Sequence, residues 1–117
     1  MRMNGNLEEL ADWGCDIVGA KERFMDDMDL YRMCLSTVIN DPAYEKLGEA
    51  LKNQNKTEAF EQAHTLKGVL ANMGLIPIYD IAVRIVESLR NDTGEDLWPV
   101  YEELLAANET LKNILKG

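Results

Sequence analysis

The sequence predicts an all-α fold, an antiparallel up-and-down four-helix bundle with additional short N-terminal helices, and three observations carry that prediction. Apolar residues recur at spacings of three and four along most of the chain. Gly, Pro and Asn fall at intervals that read as helix ends. No segment alternates with the period of two that a half-buried strand requires. Short turns between helices of roughly 12 to 20 residues make consecutive helices antiparallel neighbours.

The elements follow in order. An amphipathic start at residues 6–13 leads into a loop expected to carry Gly14 and Gly19. Met28, Tyr31, Leu35 and Val38 then recur at helical spacing, in a helix that should stop near Asn40. Asp41-Pro42 reads as an N-cap followed by proline at the first helical position, where the missing N–H costs nothing. A helix over about residues 42–53 ends in the polar turn Asn53-Gln54-Asn55-Lys56, and Asn55 with Glu58 has capping-box spacing for the next helix. From residue 57 to 73 only Gly68 interrupts the helical pattern, and Gly74 stands where a left-handed C-terminal cap is expected. Pro77 suits another first turn, and Ile78, Ile81, Ala82, Ile85 and Leu89 form an apolar stripe. After the turn Asn91-Asp92-Thr93-Gly94, the residues Val100, Leu104, Leu111 and Leu115 line a last helix, with Pro99 in its first turn. The 117 residues are expected to form one domain over 1–117, with capping helices at about 6–40 and the bundle at about 42–116.

The chain carries 12 basic and 21 acidic side chains, for a formal net charge of −9. Such a surplus repels phosphate backbones and anionic lipid headgroups, which argues against nucleic-acid and membrane partners. The longest apolar runs, at residues 69–71 and 75–78, are far too short for a bilayer, which needs roughly 20 residues. Glu8, Glu9 and Asp12 replace the basic start of a secretion signal, so a cytoplasmic protein is expected. Met1 and the polar end Lys116-Gly117 lean towards a free-standing chain. Cys15 and Cys34 match neither a CxxC redox pair nor a zinc ligand set and read as reduced, mostly buried thiols.

His64 is the one histidine, and imidazole is the side chain that is neutral and nucleophilic near pH 7. At about 100° per residue, Ala59, Ala63, Leu66, Leu70 and Met73 share the core side of the helix, and His64 lies well outside that stripe. Gly68 stands one turn above His64, Ala71 about a further turn up the same side, and Lys67 flanks them. A glycine inside an exposed helix costs roughly 1 kcal/mol relative to alanine, which suggests that something approaches closely there. Lys67 could equally run its stem along the edge of the core. Glu61 and His64 have the Glu-x-x-His spacing of di-iron bundles, but such sites need two such motifs, and no metal site is expected. Thr65, adjacent in sequence, points to another side of the helix, so it supplies no nucleophile for hydrolytic catalysis. No glycine-rich phosphate loop is present, so no ATP site of the chain's own is expected. What remains is a histidine that takes up a group itself, beside a cation and a cleared strip of backbone.

The run Ala63-His64-Thr65-Leu66-Lys67-Gly68-Val69-Leu70-Ala71-Asn72-Met73-Gly74-Leu75 resembles the signature of histidine-containing phosphotransfer (HPt) domains, with His, Lys and two glycines at fixed spacing. The resemblance implies a four-helix bundle capped by N-terminal helices. It implies that His64 is the phospho-acceptor, taking phosphate from the aspartyl phosphate of one receiver domain and passing it to another. Lys67 would then stabilise the phosphoryl group, Gly68 would admit the receiver, and Gly74 would end the helix. Glu61, Thr65, Ala71 and Asn72 would belong to the receiver-docking surface. By the same resemblance the protein is a monomeric carrier rather than a kinase. It has no cofactor of its own, magnesium comes with the receiver, and its partners are response-regulator receiver domains and a hybrid sensor histidine kinase. A binding module of the same fold that docks such a partner without phosphotransfer is the alternative. Val69 and Leu70 stand where the family often has smaller residues, and Val86 where it commonly has an acid, with Glu87 next to it. The charge is also uneven: residues 1–45 hold 4 basic and 10 acidic side chains, 46–90 hold 6 and 5, and 91–117 hold 2 and 6. The segment bearing His64 alone is not acidic, which leaves room for one phosphoryl group.

Overall fold

A computed structural model describes the backbone of residues 3–116 and the side chains of residues 6–116. The described residues form seven helices: α1 (Met3–Trp13), α2 (Ile17–Arg23), α3 (Met28–Val38), α4 (Pro42–Lys52), α5 (Lys56–Asn72), α6 (Ile76–Arg90) and α7 (Trp98–Lys116). The fold is all-helical. Helix α5 packs on both α4 and α6, and α7 closes the bundle against α6 and α4.

Local chemistry sets the helix ends. Asp41 Oδ1 accepts the Ala43 N–H at 2.8 Å and Pro42 opens α4, as the sequence predicts. Asn55 Oδ1 accepts the Glu58 N–H at 3.1 Å at the start of α5. The capping box is half formed, because the Glu58 carboxylate turns to the Gln62 amide at 2.6 Å instead of reaching back to the cap. One expectation is corrected at the N-terminus. Gly19 lies inside α2 rather than in a loop, because Asp16 Oδ1 accepts the Gly19 N–H at 2.9 Å and nucleates a short helix where the sequence shows only a glycine.

The apolar stripes meet in one core. Leu35, Leu47, Leu66, Leu70, Ile78, Ile85, Leu104 and Leu111 are fully buried. Burying a side chain of this size stabilises the fold by about 1.5–3 kcal/mol. Ile81, Leu89 and Leu115 sit at its edge, partly exposed. Polar bonds seat the first helices on the bundle. Asn6, itself buried, donates to the Ile114 carbonyl at 2.8 Å and accepts from Arg32 at 3.0 Å. Asn108 on α7 donates to the Ile39 carbonyl at the end of α3 at 3.0 Å. Where α4 meets α7, Tyr101 donates its hydroxyl proton to the Tyr44 carbonyl at 2.8 Å, and its ring fills the space beside Gly48.

Cys15 is buried and Cys34 partly so; both are free thiols. Burial pushes the Cys15 thiol up to about 12 and moves the Tyr31 and Tyr44 hydroxyls above their ordinary range. All three shifts act in the same direction on stability. Between the ordinary thiol value and about pH 12 the unfolded chain gives up protons that the folded chain keeps, so the free energy of unfolding falls as the pH rises. Urea midpoints should therefore show the contribution of these groups intact at neutral pH and falling above about pH 9, with Tyr ionisation at 295 nm coinciding with unfolding. Stability that rises from pH 9 to 11 would contradict this.

Candidate functional site

Helix α5 carries the site, and its two faces separate cleanly. Ala59, Ala63, Leu66, Leu70 and Met73 are buried, as the wheel predicts, and fix the rotation of the helix about its axis. Glu61, His64, Thr65, Gly68, Ala71 and Asn72 are exposed, and Lys67 is half-buried. The helical rise of about 1.5 Å per residue spreads these groups over roughly 16 Å of helix, with His64 about a quarter of the way from Glu61 to Asn72. Val69 is partly exposed and Leu70 fully buried, so neither crowds the imidazole.

The geometry at Gly68 is informative. A Cβ added there meets nothing within 4 Å, so no packing inside the molecule calls for glycine at this position. Its φ is that of the surrounding helix, so the conformation does not call for it either. Among the described residues nothing accounts for the missing side chain, which leaves bare backbone one turn from the exposed His64. Lys67 makes no ion pair among the described residues, although other cations do. Among them are Lys56, whose ammonium lies 2.6 Å from Asp92 and holds that carboxyl below its ordinary range, and Arg84, paired with Glu103 at 2.9 Å.

Gly74 is a different case. It adopts φ +70°, the left-handed conformation that ends α5, and a Cβ there would lie 2.5 Å from the Asp16 carbonyl oxygen. The Asp16 N–H donates to the Gly74 carbonyl at 2.8 Å. Neighbouring carbonyls at this helix end are also taken up by the N-terminal segment. Arg23 Nε donates to the Asn72 carbonyl at 2.7 Å, and the buried Tyr31 hydroxyl donates to the Met73 carbonyl at 2.8 Å. A guanidinium at a helix C-terminus also complements the negative end of the helix dipole. Helices α2 and α3, with the cap residue Asp16, thus lock the end of the helix that presents His64.

Three residues that the sequence reading did not single out join this neighbourhood. The Phe60 ring stacks on the His64 imidazole, with centroids 5.7 Å apart and planes 27° from parallel. The Arg90 guanidinium lies over the Phe60 ring at 5.6 Å and pairs with Glu87. Spacing could have revealed Phe60, which is four residues before His64 on the same face. Nothing local in the sequence points to Arg23, whose partners lie on α5, or to the place of Arg90 over Phe60; only its pairing with Glu87 is a local i,i+3 contact within α6. Val86, which stands where the resemblance leads one to expect an acid, is fully buried in the core; the acid on this stretch is Glu87, held by Arg90. Among the described residues no group of three or more His, Cys, Asp or Glu side chains could hold a metal ion.

No helix among the described residues is long and apolar enough to cross a membrane. Comparison with curated proteins and with solved structures finds no match. A family model described as the Hpt domain matches residues 25–114, a span from the α2–α3 turn through most of α7 that contains His64, Lys67, Gly68 and Gly74. Hpt domains are phosphocarrier modules that work with receiver domains in phosphorelays, and this chain, with an all-helical bundle and an exposed histidine beside an open glycine, belongs to that family.

Proposed function

We propose that this protein is a phosphorelay intermediate in which His64 accepts a phosphoryl group from the aspartyl phosphate of one receiver domain and returns it to the aspartate of another. The observation that carries the reading is Gly68, a helical glycine whose bare backbone borders the exposed His64 and which nothing within the chain requires. In the transfer, the lone pair of an imidazole nitrogen forms the new P–N bond while the P–O bond of the acyl phosphate breaks and its electron pair returns to the receiver's carboxylate. Lys67, free of an acidic partner among the described residues, offsets the charge gained. Magnesium is supplied by the receiver. Glu61, Thr65, Ala71 and Asn72 frame the histidine as docking surface, and a hybrid sensor kinase is the expected upstream partner. The chain acts as a carrier without kinase activity of its own, in the cytoplasm.

The direct test mixes the protein with a receiver domain carrying labelled aspartyl phosphate. Label should move to this chain and be lost in acid but kept in alkali, as a P–N bond requires. Absence of label despite receiver binding would favour the docking-only alternative, and stoichiometric iron or zinc in the purified protein would count against the reading.

Gly68 gives a prediction in which stability and activity move in opposite directions. Gly68→Ala should stabilise the fold by about 0.5–1 kcal/mol, because the new Cβ enters open space and the helix loses its least favourable residue. Gly68→Gln should fold equally well and yet slow transfer from the receiver by roughly a hundredfold, the scale expected when reacting atoms are held about 1 Å from their proper approach. Thermal melts and single-turnover transfer read the two effects separately. Normal transfer by Gly68→Gln would remove the argument for clearance.

A further inference from the structure

We propose that Phe60 is a positioning residue for phosphotransfer, its ring holding the His64 imidazole in the orientation that a docked receiver meets. The inference rests on the reading of His64 as phospho-acceptor and adds a residue to it. An exposed histidine on a helix has several rotamers open to it, and surface side chains exchange among theirs in picoseconds to nanoseconds. Among the described residues no hydrogen bond reaches either ring nitrogen of His64, so the restraint has to come from packing. Phe60 supplies it, with the two rings 5.7 Å apart and 27° from parallel, within the range of favourable offset stacking. A stacked partner covers a face of the imidazole and leaves the ring edge, where both nitrogens lie, free towards solvent.

Phe60 is itself braced. It is partly buried against the core, and the Arg90 guanidinium of α6 lies over its ring at 5.6 Å while pairing with Glu87. The histidine is thus connected through one aromatic ring to the neighbouring helix. Lys67 and Gly68 cannot do this, since one is a flexible cation and the other has no side chain. A donor anchored on a folded receiver arrives along one path and depends on the orientation of the ring, whereas a small donor in free solution can follow the ring into any rotamer. The two donor types therefore separate positioning from chemistry.

The experiment compares wild type, Phe60→Leu and Phe60→Tyr with two donors, phosphoramidate and a receiver domain phosphorylated on its aspartate. With phosphoramidate the P–N bond of the donor breaks, ammonia leaves, and a P–N bond to the imidazole forms. Phe60→Leu should lower the saturating rate from the receiver by about tenfold, leaving the half-saturating receiver concentration and the phosphoramidate rate within about twofold. Phe60→Tyr, which keeps the stack, should restore transfer. Three-bond couplings of the His64 side chain should report one dominant rotamer in wild type and in Phe60→Tyr and an average of several in Phe60→Leu. Unchanged transfer by Phe60→Leu, an equal fall with both donors, or failure of Phe60→Tyr to restore the rate would overturn the inference while leaving His64 as acceptor. No label on wild type from either donor would overturn the reading of His64, and this inference with it.

Discussion

His64→Gln is expected to abolish phosphoryl acceptance, from a receiver and from phosphoramidate alike, while leaving the fold within about 0.5 kcal/mol of wild type. The first half follows from chemistry. A glutamine amide of similar reach has no nucleophilic lone pair to form a P–N bond, and the chain holds no second histidine. Nearby groups are poor substitutes. The Thr65 hydroxyl is hydrogen-bonded to no base among the described residues, and the exposed Glu61 carboxylate, one turn before it, is a weak base that would itself form only a short-lived acyl phosphate. Their products are distinguishable, because phosphothreonine survives acid and an acyl phosphate is lost in alkali. The second half follows from the position of the side chain. The imidazole is exposed and makes no hydrogen bond among the described residues, so its loss removes only the stack on Phe60. Full acid-labile labelling of His64→Gln would remove the basis of the proposed relay. Loss of label accompanied by a large drop in melting temperature would show that the histidine is structural.

The helices of the bundle were legible in the sequence because each is specified locally. Asp41-Pro42, Asn55 with Glu58, and Pro77 carry their capping or first-turn chemistry within a few residues, and the stripe on α6 needs no knowledge of what it packs against. The exposure of His64 was legible for the same reason, since the core stripe of α5 fixes where the opposite face lies. The N-terminal part was not. Helix α2 has only seven residues, too few for periodicity to register, and its start depends on the Asp16 side chain folding back on Gly19. The clamp on the end of α5 was equally hidden, because Arg23 and Tyr31 act on Asn72 and Met73 across more than forty residues of chain and through backbone carbonyls, which carry no residue identity. The half-formed capping box has a similar origin: the Asn55 N–H that spacing assigns to Glu58 is already donated to the Ala50 carbonyl at 2.9 Å, and the Glu58 carboxylate accepts from Gln62 instead.

Gly74→Ala should cost about 3 kcal/mol, much more than the same substitution at Gly94, and the difference between the two measures the contact between the first helices and the bundle. Both glycines are left-handed, with φ of +70° and +76°. At either position alanine costs about 1–2 kcal/mol for a conformation that L-residues avoid. At Gly94 the added Cβ meets nothing within 4 Å, so the cost ends there. At Gly74 it would lie 2.5 Å from the Asp16 carbonyl oxygen and 3.3 Å from the carbonyl carbon, and these are backbone atoms that no rotamer change can move. Relief requires the segment before α2 to retreat, which strains the Asp16 N–H bond to the Gly74 carbonyl and draws Arg23 away from the last carbonyls of α5. Losing those bonds adds roughly 1–2 kcal/mol. In a chain of this size the total corresponds to a fall in melting temperature of about 10 °C, against a few degrees for Gly94→Ala. Hydrogen exchange should locate the damage, with faster exchange in α2 and the last turn of α5 and little change at the α4–α5 turn. Equal losses at the two glycines would mean that the contact with Asp16 relaxes at no cost. Transfer measured well below the melting point should fall less in Gly74→Ala than in Gly68→Gln, because the first change loosens the support of the helix while the second obstructs the approach to His64.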